Sequence, residues 1–136
     1  MTWRVMVFLL GTGWLGAEPF SHQRHAAMKL KCTACHATAE TQAQAGMPAL
    51  ARCQTCHAEM AALPARSARV YRVKDFVVFP HGAHAEAKVG CATCHGEVYA
   101  AAKLQLERPV TMAACVACHK ERKATVACNV CHELGQ

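Results

Sequence analysis

The sequence has few of the side chains that fill a conventional protein core. Its 136 residues include only 4 Phe, 2 Trp and 2 Tyr, and much of the apolar content is Ala and Cys. So few large apolar side chains argue against a barrel or a doubly wound sheet. Low-complexity tracts are also lacking and the net charge is a modest +6, which argues against intrinsic disorder. A small chain with such a poor core depends on covalent links, metals or bulky cofactors.

The sequence also lacks an apolar run long enough to cross a bilayer comfortably, since roughly 20 residues are needed. The N-terminal run from Val5 to Ala17 follows a basic residue, Arg4, and ends in small residues before Glu18. These features predict an export signal over residues 1–17. The protein from about Glu18 onwards is then expected in the periplasm, either soluble or, if the leader stays uncleaved, attached to the membrane by it.

Cysteine, by contrast, is abundant and regularly placed. All 10 cysteines lie in five C-x-x-C-H motifs, and none is left over. The motifs are Cys32 and Cys35 with His36, Cys53 and Cys56 with His57, Cys91 and Cys94 with His95, Cys115 and Cys118 with His119, and Cys128 and Cys131 with His132.

Two thiols at this spacing can reach the two vinyl groups of one haem, and the adjacent histidine can bind its iron. Structural zinc sites take four ligands per ion, and five separate Cys-Cys-His sets do not divide into groups of four. Redox-active C-x-x-C pairs need no following histidine, and disulfides would not demand this spacing five times. The motifs therefore predict five covalently bound haem c groups.

A longer repeat contains these motifs. The segment from Phe20 to Cys32 aligns with the segment from Phe79 to Cys91, and both begin F-x-H-x-x-H. The repeat divides the chain into a dihaem half-module at residues 18–64, a basic linker at 65–74 and a trihaem module at 75–136.

The linker carries Arg66, Arg69, Arg72 and Lys74 with no acid before Asp75. A charge run of this kind is usually solvated, which is the interpretation we favour. A docking face for an acidic partner is the alternative.

Secondary structure is expected to be sparse. Val70 to Phe79 has strand-forming residues, whereas Ala37 to Ala45 and Glu97 to Glu107 can form short helices. Single helical turns are expected at Met112 to His119 and at the other C-x-x-C-H motifs. The predicted fold class is therefore mostly irregular with small helices and little β structure.

Four histidines remain once five are used as haem ligands within the motifs: His22, His25, His81 and His84. An iron with one motif histidine has one axial position left, so the two members of an H-x-x-H pair must serve two haems. Residues three apart on a helical turn lie on one face. Four histidines cannot cap five irons, and the fifth takes Met, Lys, a chain terminus, water or nothing.

H-x-x-H followed by repeated C-x-x-C-H motifs resembles the class III multihaem cytochromes c, small electron carriers of anaerobic bacteria. His81 to His132 resembles a complete trihaem module of that group, and the first half resembles one that lacks its third motif. The resemblance implies a fold in which haems form the core. It also implies five ligand pairs: His22 with His36, His25 with His57, His81 with His95, His84 with His119, and Met112, ahead of Met47 as second choice, with His132.

Such a constellation predicts an electron carrier rather than an enzyme, because an iron with two nitrogen ligands has no position for a substrate. The expected role is a relay between a membrane quinol-oxidising or dehydrogenase complex and a periplasmic or extracellular acceptor. Ten haem propionates would offset the basic balance, so no nucleic-acid partner is expected. The alternative is a multihaem reductase whose fifth iron is open.

Overall fold

The structure is a computed structural model that describes residues 19–64, 71–105 and 107–133. The predicted export signal at 1–17 lies outside the described residues, as do residues 65–70 of the basic linker. Within the described ranges the chain consists of short helices joined by turns and extended segments, with no strand. This is the mostly irregular architecture expected from the sequence.

Seven short helical elements are present. Two are 3-10 helices, at Gln23–Met28 and Cys32–Ala34. The others are α1 (Leu50–Gln54), α2 (His81–Glu86), α3 (Ala92–His95), α4 (Met112–Glu121) and α5 (Cys128–Cys131).

The C-x-x-C-H motifs themselves create most of these elements. In four of them the histidine N–H donates to the carbonyl of the first cysteine, for example His36 to Cys32 at 2.8 Å and His95 to Cys91 at 3.0 Å. This bond closes one helical turn and gathers two thiols and an imidazole around it. The fourth motif lies inside the longer α4, where the Thr111 hydroxyl accepts from the backbone N–H of Ala114 at 3.2 Å as an N-cap.

The sequence repeat is also present in the backbone. Lys29 follows the first H-x-x-H pair and Lys88 follows the second, and both have left-handed conformations, with φ of 48° and 58°. A left-handed residue commonly ends a helix, but glycine is the usual choice because other residues pay a steric cost there. The two halves therefore turn away from their histidine pairs in the same way.

Three predicted elements are wrong. The expected strand at Val70 to Phe79 reduces, over its described residues, to an isolated antiparallel bridge between Val77 and His132. Turns replace the predicted helix at 37–45, where the Thr38 hydroxyl donates to the Gln44 carbonyl at 2.8 Å. The segment 97–107 also forms turns over its described residues, because the Tyr99 hydroxyl donates to Leu30, a distant part of the chain. Side-chain and tertiary bonds override helix propensity in both.

No side chain in the described part of the chain is buried. Large apolar residues are exposed instead, among them Phe76 at 61% and Met112 at 68%. A chain of this length normally stabilises its fold by burying apolar side chains. In the described residues, the segments meet around histidines and cysteines and not around a buried apolar cluster.

Candidate haem-binding sites

Each H-x-x-H pair contacts two motif histidines. We number the haem sites 1 to 5 by the order of their motifs, whose proximal histidines are His36, His57, His95, His119 and His132. The distances between ring centres are 6.4 Å for His22 and His36, 6.2 Å for His25 and His57, 6.5 Å for His81 and His95, and 6.1 Å for His84 and His119.

These distances fit one iron per pair. An imidazole nitrogen lies about 2 Å from a metal that it binds, so two imidazoles on opposite sides of one iron have ring centres about 6 Å apart. The same pairs are the ones that the sequence resemblance implies, with the two members of each H-x-x-H pair serving different sites. The two ring planes lie 20° apart at site 1 and 11° apart at site 3, but 70° at site 2 and 55° at site 4.

Backbone carbonyls orient six of the nine imidazoles. Since a carbonyl can only accept, Nδ1 carries the proton in each bond and Nε2 keeps its lone pair for a metal. The bonds run from His25 to Ser21 at 2.9 Å, His36 to Gly46 at 2.7 Å, His81 to Ala43 at 2.9 Å, His84 to Pro80 at 2.9 Å, His119 to Thr125 at 2.6 Å and His132 to Phe76 at 3.4 Å.

Phenylalanine rings pack against both H-x-x-H pairs, whose members we call the distal histidines. The ring centres of Phe20 and His25 are 5.0 Å apart with the planes at 27°, and those of Phe79 and His84 are 4.4 Å apart with the planes at 28°. Phe76 repeats this arrangement at His132, at 5.9 Å and 25°. The sequence analysis gave these rings no role, although the F-x-H-x-x-H repeat contained the signal for two of them. They restrict the rotation of the imidazoles that they contact.

No disulfide joins any of the ten cysteines, and each is half-buried or exposed, so each is accessible for attachment. Their positions link neighbouring sites. Burial, followed by the charge of the nearby Cys91 thiol of site 3, raises the pKa of the Cys32 thiol of site 1. Burial also raises the pKa of Cys94, and Cys118 of site 4 contributes to that rise. Site 3 therefore adjoins both site 1 and site 4.

The electrostatics favour neutral imidazoles at sites 1 and 3. Burial lowers the pKa of His22, and charge repulsion from neighbouring imidazoles, led by His36, lowers it further. Burial likewise lowers the pKa of His95, with a further contribution from His81. A histidine must be deprotonated at the nitrogen that binds metal, so these environments suit ligands.

The donor set therefore fits haem: paired thiols, oriented imidazoles and ring spacings for one iron between them. A model of the family described as cytochrome c3 matches residues 24–97, which is more than half of the chain. The chain belongs to the cytochrome c3 family.

A second model, described as cytochrome c7 and related cytochrome c, matches residues 77–133 of this cytochrome. The two matches overlap around site 3 and together span all five motifs. The comparison with curated proteins gives no match. Both families contain small class III multihaem cytochromes, which confirms the resemblance and the fold class inferred from the sequence.

Family membership carries three general properties. Members bind haem c covalently, act as electron carriers and are typically periplasmic. Within the described residues of this cytochrome, no helix combines the length and the apolarity that a membrane span requires. In the same residues, no group of three or more His, Cys, Asp or Glu side chains is arranged to hold a bare metal ion.

Site 5 differs from the others. His132 is fixed by the bond to the Phe76 carbonyl and by the bridge to Val77, but the nine histidines leave it no imidazole partner. Met112 begins α4 with its side chain 68% exposed, and its role as a ligand stays a prediction. Met47 lines a cavity of about 400 Å³ with Cys35 and other residues of the first half, so it lies beside motifs that already have histidine pairs.

Proposed function

We propose that this cytochrome carries five haem c groups and acts as a periplasmic electron-transfer relay. Its electron donor would be a membrane quinol-oxidising or dehydrogenase complex, and its acceptor a periplasmic or extracellular redox protein. The observation that carries the proposal is the spacing of four histidine pairs, each of which would close one iron from both sides. An iron closed in this way exchanges electrons and has no position for a substrate.

The residues of the chain set the properties of the haems, which themselves supply the redox chemistry. Carbonyl bonds at Nδ1 increase the basicity of the imidazole ligands, and the Phe rings hold their orientation. Met112 would serve as the sixth ligand of site 5. Because methionine in place of histidine raises a haem potential, site 5 would have the highest potential and accept electrons from the rest.

A multihaem reductase is the second candidate, and the lack of a histidine partner for His132 is the observation that favours it. In that case the fifth iron would be open to a small molecule such as nitrite or peroxide. The relay requires every iron to be capped, whereas the reductase requires one that is not.

Two measurements on the purified holoprotein test the proposal. The intact mass should exceed that of the polypeptide by five haems; fewer than five would overturn the count. The reduced protein should then be titrated with carbon monoxide. No binding supports the relay, one equivalent per chain supports the reductase, and several equivalents would contradict the histidine pairing itself. Co-purification from membranes would identify the electron donor.

A further inference from the structure

The two halves of the chain meet at the first haem site of each half. The Cys32 thiol of site 1 lies near the Cys91 thiol of site 3. When haems are attached, these sulfurs would form thioether links to the vinyl groups of two different haems. The proximal histidines of the two sites, His36 and His95, are also close enough to interact electrostatically.

Two reciprocal contacts hold this meeting point. From the second half, the Tyr99 hydroxyl donates to the Leu30 carbonyl at 2.9 Å, and its ring lies 6.3 Å from that of His22. From the first half, the Ala43 carbonyl accepts from Nδ1 of His81 at 2.9 Å and from its backbone N–H at 3.0 Å. Each half therefore contacts the first distal histidine of the other.

The contact at Ala43 differs from its counterparts. His25 and His84 donate to carbonyls four residues before them, within their own half. His81 instead depends on the first half for its orientation. The fit is close, because the next residue, Gly82, lies so near the first half that a Cβ there would be 3.0 Å from the carbonyl carbon of Thr41. The axial ligand of site 3 is thus positioned across the boundary between the halves.

We propose that electrons cross between the two halves from site 1 to site 3, and that Tyr99 is a positioning residue for this junction. We call the contact of Cys32, Cys91, Tyr99, Ala43 and His81 the 1–3 junction. The proposal rests on the proposed electron-transfer function. With haems bound at both sites, an electron that left the iron of site 1 would be taken up by the iron of site 3, so that one iron would be oxidised as the other was reduced, with no covalent bond made or broken.

The hop order then differs from the motif order. One H-x-x-H pair faces sites 1 and 2 and the other faces sites 3 and 4. The Cys94 thiol of site 3 also lies near the Cys118 thiol of site 4. Electrons would then pass from site 2 to site 1, across the junction to site 3, and on to site 4. Sites 2 and 3 follow one another in the sequence, but they are not the pair that connects the halves.

Proton NMR of the fully reduced holoprotein tests the junction directly, because reduced bis-histidine haems are diamagnetic. Nuclear Overhauser cross-peaks are expected between thioether protons of the Cys32-linked haem and those of the Cys91-linked haem. Their absence in a protein that carries five capped haems would overturn the junction alone. A protein with fewer haems or several open irons would instead overturn the proposed function.

The role of Tyr99 is tested with Tyr99→Phe and a matched control, Tyr71→Phe. Tyr71 packs on His95 with ring centres 4.3 Å apart, but its hydroxyl shares its one proton between the backbone carbonyls of His95 and Gln105, both within the second half. We expect Tyr99→Phe to weaken the cross-peaks between sites 1 and 3 and to reduce the shift in the potential of one site when the other is oxidised. Tyr71→Phe should leave both unchanged. Equal effects of the two variants, or none from Tyr99→Phe, would refute the assignment.

Discussion

Each distal histidine of this cytochrome should close one iron. The number of open irons in a variant therefore counts the irons that have lost a distal ligand. In His84→Ala the imidazole that lies 6.1 Å from His119 is removed, while the thioether links and the proximal ligand of site 4 remain. The reduced variant should therefore bind one carbon monoxide more per chain than the parent protein. The same increment is expected for His81→Ala at site 3.

The cost in stability should be small. His84→Ala removes the Nδ1 donor of the Pro80 carbonyl, although that carbonyl also accepts from the backbone N–H of residue 84 at 3.4 Å. An unsatisfied polar group costs about 1–3 kcal/mol when it is buried. His84 is only partly buried, so water can replace the donor and the lower end of that range applies. Covalent attachment of the haems should keep the variant folded, and an unchanged haem-to-protein ratio would verify this.

The double variant His81→Ala/His84→Ala separates two arrangements of the pair. If the two histidines serve different irons, the increment is two carbon monoxide molecules per chain. An increment of one would mean that they serve the same iron, and the pairing would be wrong. Phe79→Leu is the matched control, since Phe79 packs against both imidazoles but offers no lone pair. It should add no binding.

Three further predictions concern single residues. Met112→His should lower the potential of site 5, with the other four unchanged, in a spectroelectrochemical titration; five unchanged potentials would exclude Met112 as the ligand. Gly82→Ala should destabilise the fold by about 1–3 kcal/mol through overpacking, offset by up to about 1 kcal/mol of helix propensity, whereas the added Cβ in Gly90→Ala meets nothing closer than 3.9 Å. Equal thermal midpoints for these two variants would contradict the close fit at Gly82. Thr111→Ala should cost about 1 kcal/mol by removing the N-cap of α4, measured as faster amide exchange at Ala114; unchanged exchange would show that the cap contributes nothing.

The histidine pairs that lie close together in the structure are the ones that the family resemblance implies. Counting histidines against motifs requires that His22 and His25 serve two irons, and the alignment of the halves extends this to His81 and His84. Helix-forming residues at Ala37 to Ala45 were misleading, because the proximal ring of His36 donates to Gly46 and draws that segment into a loop.

Contacts between distant segments were beyond prediction. Tyr99 and Leu30 are 69 residues apart, and neither belongs to a motif. The bond of His81 to Ala43 uses a backbone carbonyl, which leaves no trace in residue type. The 1–3 junction therefore became apparent only from the arrangement of the two halves.

Because no described side chain is buried, the polypeptide depends on haem attachment to reach a stable native state. Ordering the backbone costs about 1–2 kcal/mol per residue, and the described side chains shield too little apolar area from water to repay it. Haem ligation then supplies the free energy that makes the native state stable, as metal binding does in small zinc domains. Polypeptide without haem would be open to proteases, so the supply of haem would decide how much cytochrome accumulates.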